Sequence, residues 1–192
     1  LKIWLDEKRE KSELALLDGS FSTELQRTGV QFEDHPGWTA YANFDCIDKV
    51  RVVYEVWMKL GCEIITTNTY HHSIDLLRPC NGEEEIVSAF QNAVNAAHDA
   101  RSATNNDQKV RILVSIGSYA TKLRDGSEYT GAYAATTPAE VVRSHTKTEI
   151  DSVNCCIFPG IIFETIPTMK DVEAIIERSQ KLDDVIVSLS LN

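Results

Sequence analysis

The sequence predicts an α/β protein built on a parallel sheet, and three observations carry that prediction. Short apolar runs recur along the 192 residues, each opening after a polar or glycine boundary and closing in small polar residues. Stripes of apolar residues at helical spacing lie between the runs. No hairpin signal joins two successive runs, so each strand is read as returning to the next through a helix, in right-handed βαβ units.

The runs at 15–17, 63–67, 111–115, 160–165 and 185–190 are predicted strands, apolar enough for burial on both faces. The first helix carries Ile47, Val50, Val53, Tyr54, Trp57 and Met58 at spacings of three and four. Ile86, Val87, Phe90, Val94 and Ala97 form a second stripe. A third helix is announced by Thr137 as N-cap, Pro138 in the first turn and Glu140 three residues after the cap, and runs towards Ser152. The fourth, from about 169 to 180, buries Val172, Ile175 and Ile176. Asp18 to Thr67, Thr67 to Gly117 and Gly117 to Glu164 are nearly equal steps, so the early units carry long loops after their strands, where parallel α/β proteins place binding and chemistry. No GxGxxG follows the first strand and no P-loop is present, which removes support for dinucleotide or nucleotide-triphosphate binding.

Composition sets further bounds. With 43% hydrophobic and 25% charged residues the chain holds enough apolar material for a core and is read as one domain over 1–192. A formal charge of −10 disfavours phosphate backbones and anionic lipid surfaces as partners. Nothing approaches the roughly 18 consecutive apolar residues of a membrane span, and the opening LKIWLDEKREKSE is charged where a signal peptide is apolar, so a cytoplasmic setting is expected. Cys46, Cys62, Cys80, Cys155 and Cys156 are odd in number and lack CxxC spacing, which reads as reduced thiols.

Candidate chemistry collects at the carboxyl ends of the runs. Asp18 and Gly19 open a turn of exposed amides, DGSFSTEL, suited to an amino-acid zwitterion; the alternative is that Asp18 only caps the next helix. The second run ends in Thr66, Thr67, Asn68, Thr69 and Tyr70, followed by His71 and His72, which point to opposite sides of an extended segment and are read as a solvated pair rather than a metal site. The fourth places Glu164 directly after four apolar residues, where a buried carboxylate needs a cation from the protein or from a ligand. Asp18 and Glu164 at one rim point to an ammonium-bearing substrate, with an acid/base pair in an unrelated barrel enzyme as the weaker alternative.

Four blocks, DGSFSTEL at 18–25, the stretch at 37–70 from GWTAYANF to TTNTY, SIGSYATKLRDGSEYTGAY at 115–133 and FETIPTMKDVEA at 163–174, together resemble the homocysteine S-methyltransferase family. The likeness is nearest to the branch that uses S-methylmethionine, with betaine-using enzymes more distant. It implies a (β/α)8 TIM barrel, of which about the first five βα units are present, that moves a methyl group from a sulfonium donor to the zinc-bound thiol of L-homocysteine and forms methionine. Carried over by position, Asp18, Gly19, Thr67 and Glu164 hold the homocysteine backbone, Glu164 receiving the ammonium, and Trp38 is an aromatic of the same pocket whose ring also suits a cationic donor.

The resemblance also implies a departure. The family's three zinc cysteines follow later strands and are expected beyond residue 192, leaving no metal ligand in this chain. Cys155 and Cys156 imitate the adjacent pair but precede the fourth strand, so they are expected at the wrong end of the sheet. Five strands do not close an eight-stranded barrel, and this chain alone is expected to be inactive. The alternative is a non-catalytic short isoform or homologue that binds amino acids or pairs with the full-length enzyme.

Overall fold

The computed structural model describes residues 1–106, 109–153, 160–180, 182 and 184–189. In chain order the elements are α1 (Lys2–Glu10), α2 (Phe21–Arg27), a 3-10 turn (Trp38–Tyr41), α3 (Ala42–Asp45), α4 (Ile47–Lys59), β1 (Ile64–Thr66), α5 (Ile74–Leu77) and α6 (Glu83–Ala103). They continue with β2 (Arg111–Gly117), α7 (Ala120–Leu123), α8 (Ser127–Thr130), a 3-10 turn (Ala132–Ala135), α9 (Ala139–Val153), β3 (Ile161–Ile166), α10 (Met169–Ser179) and β4 (Val185–Leu189). The sheet is parallel throughout, in the order β1-β2-β3-β4. Each strand lies beside its predecessor without a reversal of direction around the sheet, which is the winding of a barrel rather than of a doubly wound open sheet.

One predicted strand is corrected. The run at 15–17 forms a single parallel bridge, Leu17 to Ile64, so the described residues contain four strands and one bridge rather than five strands. Leu16 accepts from the Glu63 and Ile64 N–H groups and Asp18 donates to the Ile64 carbonyl, but Leu16 and Leu17 remain half-exposed at the sheet edge. Without a described neighbour on its outer side the segment lacks the second ladder that would extend it. The four long helices follow the predicted stripes except at Ile176, which is exposed on α10 while Ala174 and Ile175 take the buried face.

The two faces of the sheet differ in kind. Ile65, Ile112, Val114, Ile116, Ile161 and Phe163 face the helices and are buried against α4, α6, α9 and α10. Removing each such side chain from water stabilises the fold by ~2 kcal/mol before entropy is counted. On the other face the alternate residues change character along the strands. Ile64, Leu113 and Ile162 form an apolar layer at the amino-terminal end, closed by Leu1 and Trp4 of the α1 region, whereas Thr66, Ser115, Gly117 and Glu164 follow at the carboxyl end. The charge-rich opening of the chain is thus a helix that covers the apolar layer, a role its composition alone does not announce. No helix among the described residues is long and apolar enough to cross a membrane.

Candidate functional site

Above the apolar layer the strand ends and their loops enclose a cavity of about 240 Å³. Gly19, Trp38, Thr67 and Glu164 line it, so four of the five expected site residues share one space. Asp18 stands just outside that lining. Its carboxylate accepts from the Thr66 N–H at 2.8 Å and from the Thr66 hydroxyl at 3.2 Å, and Thr66 itself lines the cavity. Asp18 is not a helix cap, because the hydroxyl of Ser20 accepts from Thr23 N–H at the start of α2. Gly19 is required by space: a Cβ there would lie 2.6 Å from Trp57 Cη2.

Glu164 sits on β3 in register with Gly117 of β2, and its Oε1 accepts from the Ser115 hydroxyl at 2.6 Å. Burial raises its pKa against the opposing effect of that hydrogen bond. Burial likewise pushes Asp18 up to about 7, with the Thr66 hydrogen bonds opposing and the Glu164 charge adding to the rise. No cation among the described residues contributes to either carboxyl. Two carboxyls whose pKa values burial raises, with no protein cation to offset it, form an environment in which a cationic group would be favourably received.

Backbone distortion shapes the same cavity. Thr165, next to Glu164, has φ 54° where the β3–β4 register shifts, and Trp38 has φ 48° at the start of its 3-10 turn. Left-handed backbone at a β-branched and at a bulky aromatic residue costs on the order of 1 kcal/mol each and persists only where surrounding contacts enforce it. Those contacts are visible. Asn68 donates through Nδ2 to the Thr39 carbonyl and Asn43 Oδ1, Asn43 donates back to the Asn68 carbonyl, and the Asn68 N–H donates to the buried Tyr54 hydroxyl. The Thr69 hydroxyl donates to the Ser115 carbonyl at 2.7 Å, so the Thr67 hydroxyl must donate to Thr69 Oγ1. Thr67 Oγ1 also accepts from the Ser115 N–H, leaving it one lone pair for a ligand.

The histidine pair is corrected by the structure. His72 is a core residue: Nε2 donates to the Ile86 carbonyl at 2.8 Å while Nδ1 faces Asn43 Nδ2, and burial pushes its pKa down to about 4. His71 points the other way, into the cavity wall, and burial together with the charge of Arg124 pushes it down to about 4. His72 is buried and His71 only partly exposed, because the loop after β1 folds inward over the sheet. Sequence reasoning did not single out Ser115 and Ser22, which also line the cavity. The period-two alternation places Ser115 on the Glu164 face, which was the available signal.

The described residues do not fit a zinc ion. They contain no group of three or more His, Cys, Asp or Glu able to hold a metal. Cys46 precedes α4, Cys62 is buried ahead of β1, and Cys80 is exposed beyond α5, so these free thiols belong to three separate places. Cys155 and Cys156 lie outside the described residues.

Comparison with known proteins agrees with the architecture. The chain superposes on the crystal structure of the metallated homocysteine methyltransferase MmuM from Escherichia coli with a TM-score of 0.79 at 22% identity, covering 94% of this chain and 64% of that one. Homocysteine S-methyltransferase 1 of Brassica oleracea var. italica is 30% identical over 173 residues, 85% of this chain and 53% of the relative. Betaine-homocysteine S-methyltransferase of Drosophila melanogaster is 31% identical over 171 residues, 83% of this chain and 51% of the relative. The chain spans about half the length of these curated relatives. The family model for homocysteine S-methyltransferase matches residues 15–192, and the chain belongs to that family.

Proposed function

We propose that the chain is the homocysteine-binding portion of a homocysteine S-methyltransferase, one domain over 1–192 supplying about the first five units of a (β/α)8 barrel. Glu164, with Asp18 behind it through Thr66, receives the ammonium of L-homocysteine; Gly19, Thr67 and Trp38 complete the pocket. The reaction moves a methyl group from S-methylmethionine or a related onium donor to the thiol. The thiol proton is lost to solvent, the thiol sulfur forms the new S–CH3 bond, and the electron pair of the broken bond stays on the donor's onium atom, the sulfur in S-methylmethionine. Zinc would keep the thiolate nucleophilic in the complete enzyme, and the described residues offer it no site. A cytoplasmic setting fits the unpaired thiols of Cys46, Cys62 and Cys80.

The observation that supports this reading best is the part-buried Glu164 carboxylate, which lines a cavity and has a hydroxyl but no described cation beside it. Burying such a charge is costly until an ammonium arrives. Calorimetric titration of this chain with L-homocysteine and with 4-mercaptobutanoate, which lacks the ammonium, tests it. L-Homocysteine should bind, the amine-free analogue should not, and Glu164→Gln should weaken binding by about 2 kcal/mol. Equal binding of both compounds would remove the basis of the assignment. The chain alone should bind without methyl transfer when zinc and S-methylmethionine are added.

A further inference from the structure

The first turn of α10, shortly after Glu164 in the chain, carries the buried Asp171, which the site described above does not use. Donors from three segments meet its carboxylate: the Tyr119 N–H, 3.4 Å from Oδ1, the Tyr133 hydroxyl and the Thr168 hydroxyl. Thr168 accepts in return from the Asp171 N–H at 3.3 Å and so caps the helix. Capping needs only that reciprocal pair. Tyr119 and Tyr133 belong instead to the two ends of the segment that follows β2, and their ring centroids lie 5.5 Å apart. Lys170 holds the same segment, donating to the Ala134 and Thr137 carbonyls at 2.6 and 2.8 Å. Gly131 permits the approach: at φ 65° it rests against Thr168, where a Cβ would lie 2.9 Å from Cγ2.

We propose that Asp171 is a positioning residue for the Glu164 pocket, tying the loops after β2 and β3 into one unit and thereby fixing the Ser115 hydroxyl against Glu164. It rests on the function proposed above for its ligand, while the pocket's own geometry is measurable without one. The ladder between β2 and β3 runs as far as Gly117 opposite Glu164, and the chain then leaves register through the left-handed Thr165, so strand pairing does not join the two loops beyond that height. Asp171 supplies the next tie, from Tyr119, two residues past Gly117, to the helix into which β3 leads. Its three donors are uncharged and their bonds directional, so a shift of either loop leaves a buried carboxylate short of a partner, which is costly. Ser115 and Glu164 stand on the same two strands, and a shift of the loops is passed down to their 2.6 Å contact.

Tyr133→Phe removes one donor and keeps the ring and the Asp171 carboxyl; Asp171→Asn keeps the shape and removes the acid. In the 192-residue chain and in both variants the Glu164 carboxyl is titrated by carbon-13 NMR on glutamate-labelled protein, assigned with Glu164→Gln, and L-homocysteine affinity is measured by calorimetry at pH 6 and pH 8. The titratable neighbours of Glu164 are Asp18, Tyr70 and His71, and neither variant alters them. The expected result is that Tyr133→Phe moves the Glu164 titration to higher pH by about 0.5 and weakens L-homocysteine about threefold at pH 6, with little loss at pH 8. A loss of packing alone would lower Tm and leave that titration in place. Tyr133→Phe added to Ser115→Ala should bind no more weakly than Ser115→Ala alone, to within about twofold, since both act on one contact. An unmoved Glu164 titration, or losses that multiply in the double variant, overturns the inference. Failure of the parent chain to bind L-homocysteine, with the Glu164 titration still sensitive to Tyr133→Phe, would instead overturn the homocysteine reading and leave the positioning role standing. Should Asp171→Asn not fold, Tyr133→Phe decides.

Discussion

The Ser115 hydroxyl reaches across from β2 to Glu164 Oε1 on β3, 2.6 Å away, at the height where the inner face of the sheet turns from apolar to polar. This contact opposes the rise that burial imposes on the Glu164 pKa. Ser115→Ala removes it and raises the Glu164 pKa further, since only the opposing effect of burial remains. L-Homocysteine affinity at neutral pH should fall by about 1.5 kcal/mol, roughly tenfold, with less loss at pH 8 than at pH 6. A calorimetric pH series on the variant checks this.

Ligand binding should depend on pH with a defined sign. Asp18 is protonated below about 7 in the free protein, and an ammonium ligand favours the ionised acids. Affinity should therefore rise from pH 5.5 to 7, by at most about tenfold per pH unit per group, and flatten above. Proton release on binding should appear as a heat that changes with buffer ionisation enthalpy. The Asp18→Asn variant should show a shallower rise.

Stability should fall between pH 6.5 and 8, and Glu149 is the main cause. It lies buried on α9 beside His145, Oε1 to Nδ1 3.8 Å, with neither histidine nitrogen hydrogen-bonded; the Ser73 hydroxyl, which lowers its pKa, and the charges of Asp75 and Lys122 are close by. Burial pushes Glu149 up to about 8, so the folded state holds a proton that the unfolded state has released above its ordinary 4.5, and this contribution to stability is lost as pH rises towards 8. His71, His72 and His145, all pushed down to about 4 by burial, act oppositely but only between pH 4 and 6.5. Above 6.5 the acids prevail, at about 1.4 kcal/mol per pH unit per group. Thermal melts of Glu149→Gln should lose most of this slope and exceed the parent Tm at pH 8 by about 3 °C.

Gly19→Ala should destabilise the chain by about 1–3 kcal/mol, because the new methyl meets the Trp57 ring rather than a flexible side-chain end. The strain passes to Ser20 and the start of α2, so homocysteine affinity should fall as well. Urea midpoints and calorimetry on the same preparation separate the two effects, and an unchanged midpoint would show that Trp57 has room to move.

Much of this was readable before any coordinates. The alternation of apolar runs with helical stripes is an average over many residues, which is why α4, α6, α9 and α10 fall where Ile47, Ile86, Pro138 and Met169 place them. Glu164 was legible because a charge after four apolar residues demands an explanation. The segment at 15–17 was overread because apolarity does not reveal whether a strand has neighbours on both sides. His72 was misjudged because its burial depends on Phe90 and the Ile86 carbonyl, both distant in sequence. The indirect position of Asp18, one residue removed from the cavity through Thr66, depends on side-chain direction that no spacing encodes.

The hydroxyl chain from Thr67 through Thr69 to the Ser115 carbonyl runs in one direction only, since each proton along it is already committed. A guest arriving at Thr67 meets bare oxygen there and must bring its own hydrogen. A carboxylate turned towards that oxygen and Glu164 would face two electron-rich atoms with nothing between to bridge them. Under the function proposed above, the floor of the pocket acts in this way as a filter for orientation, favouring an amino acid that settles with its nitrogen downward.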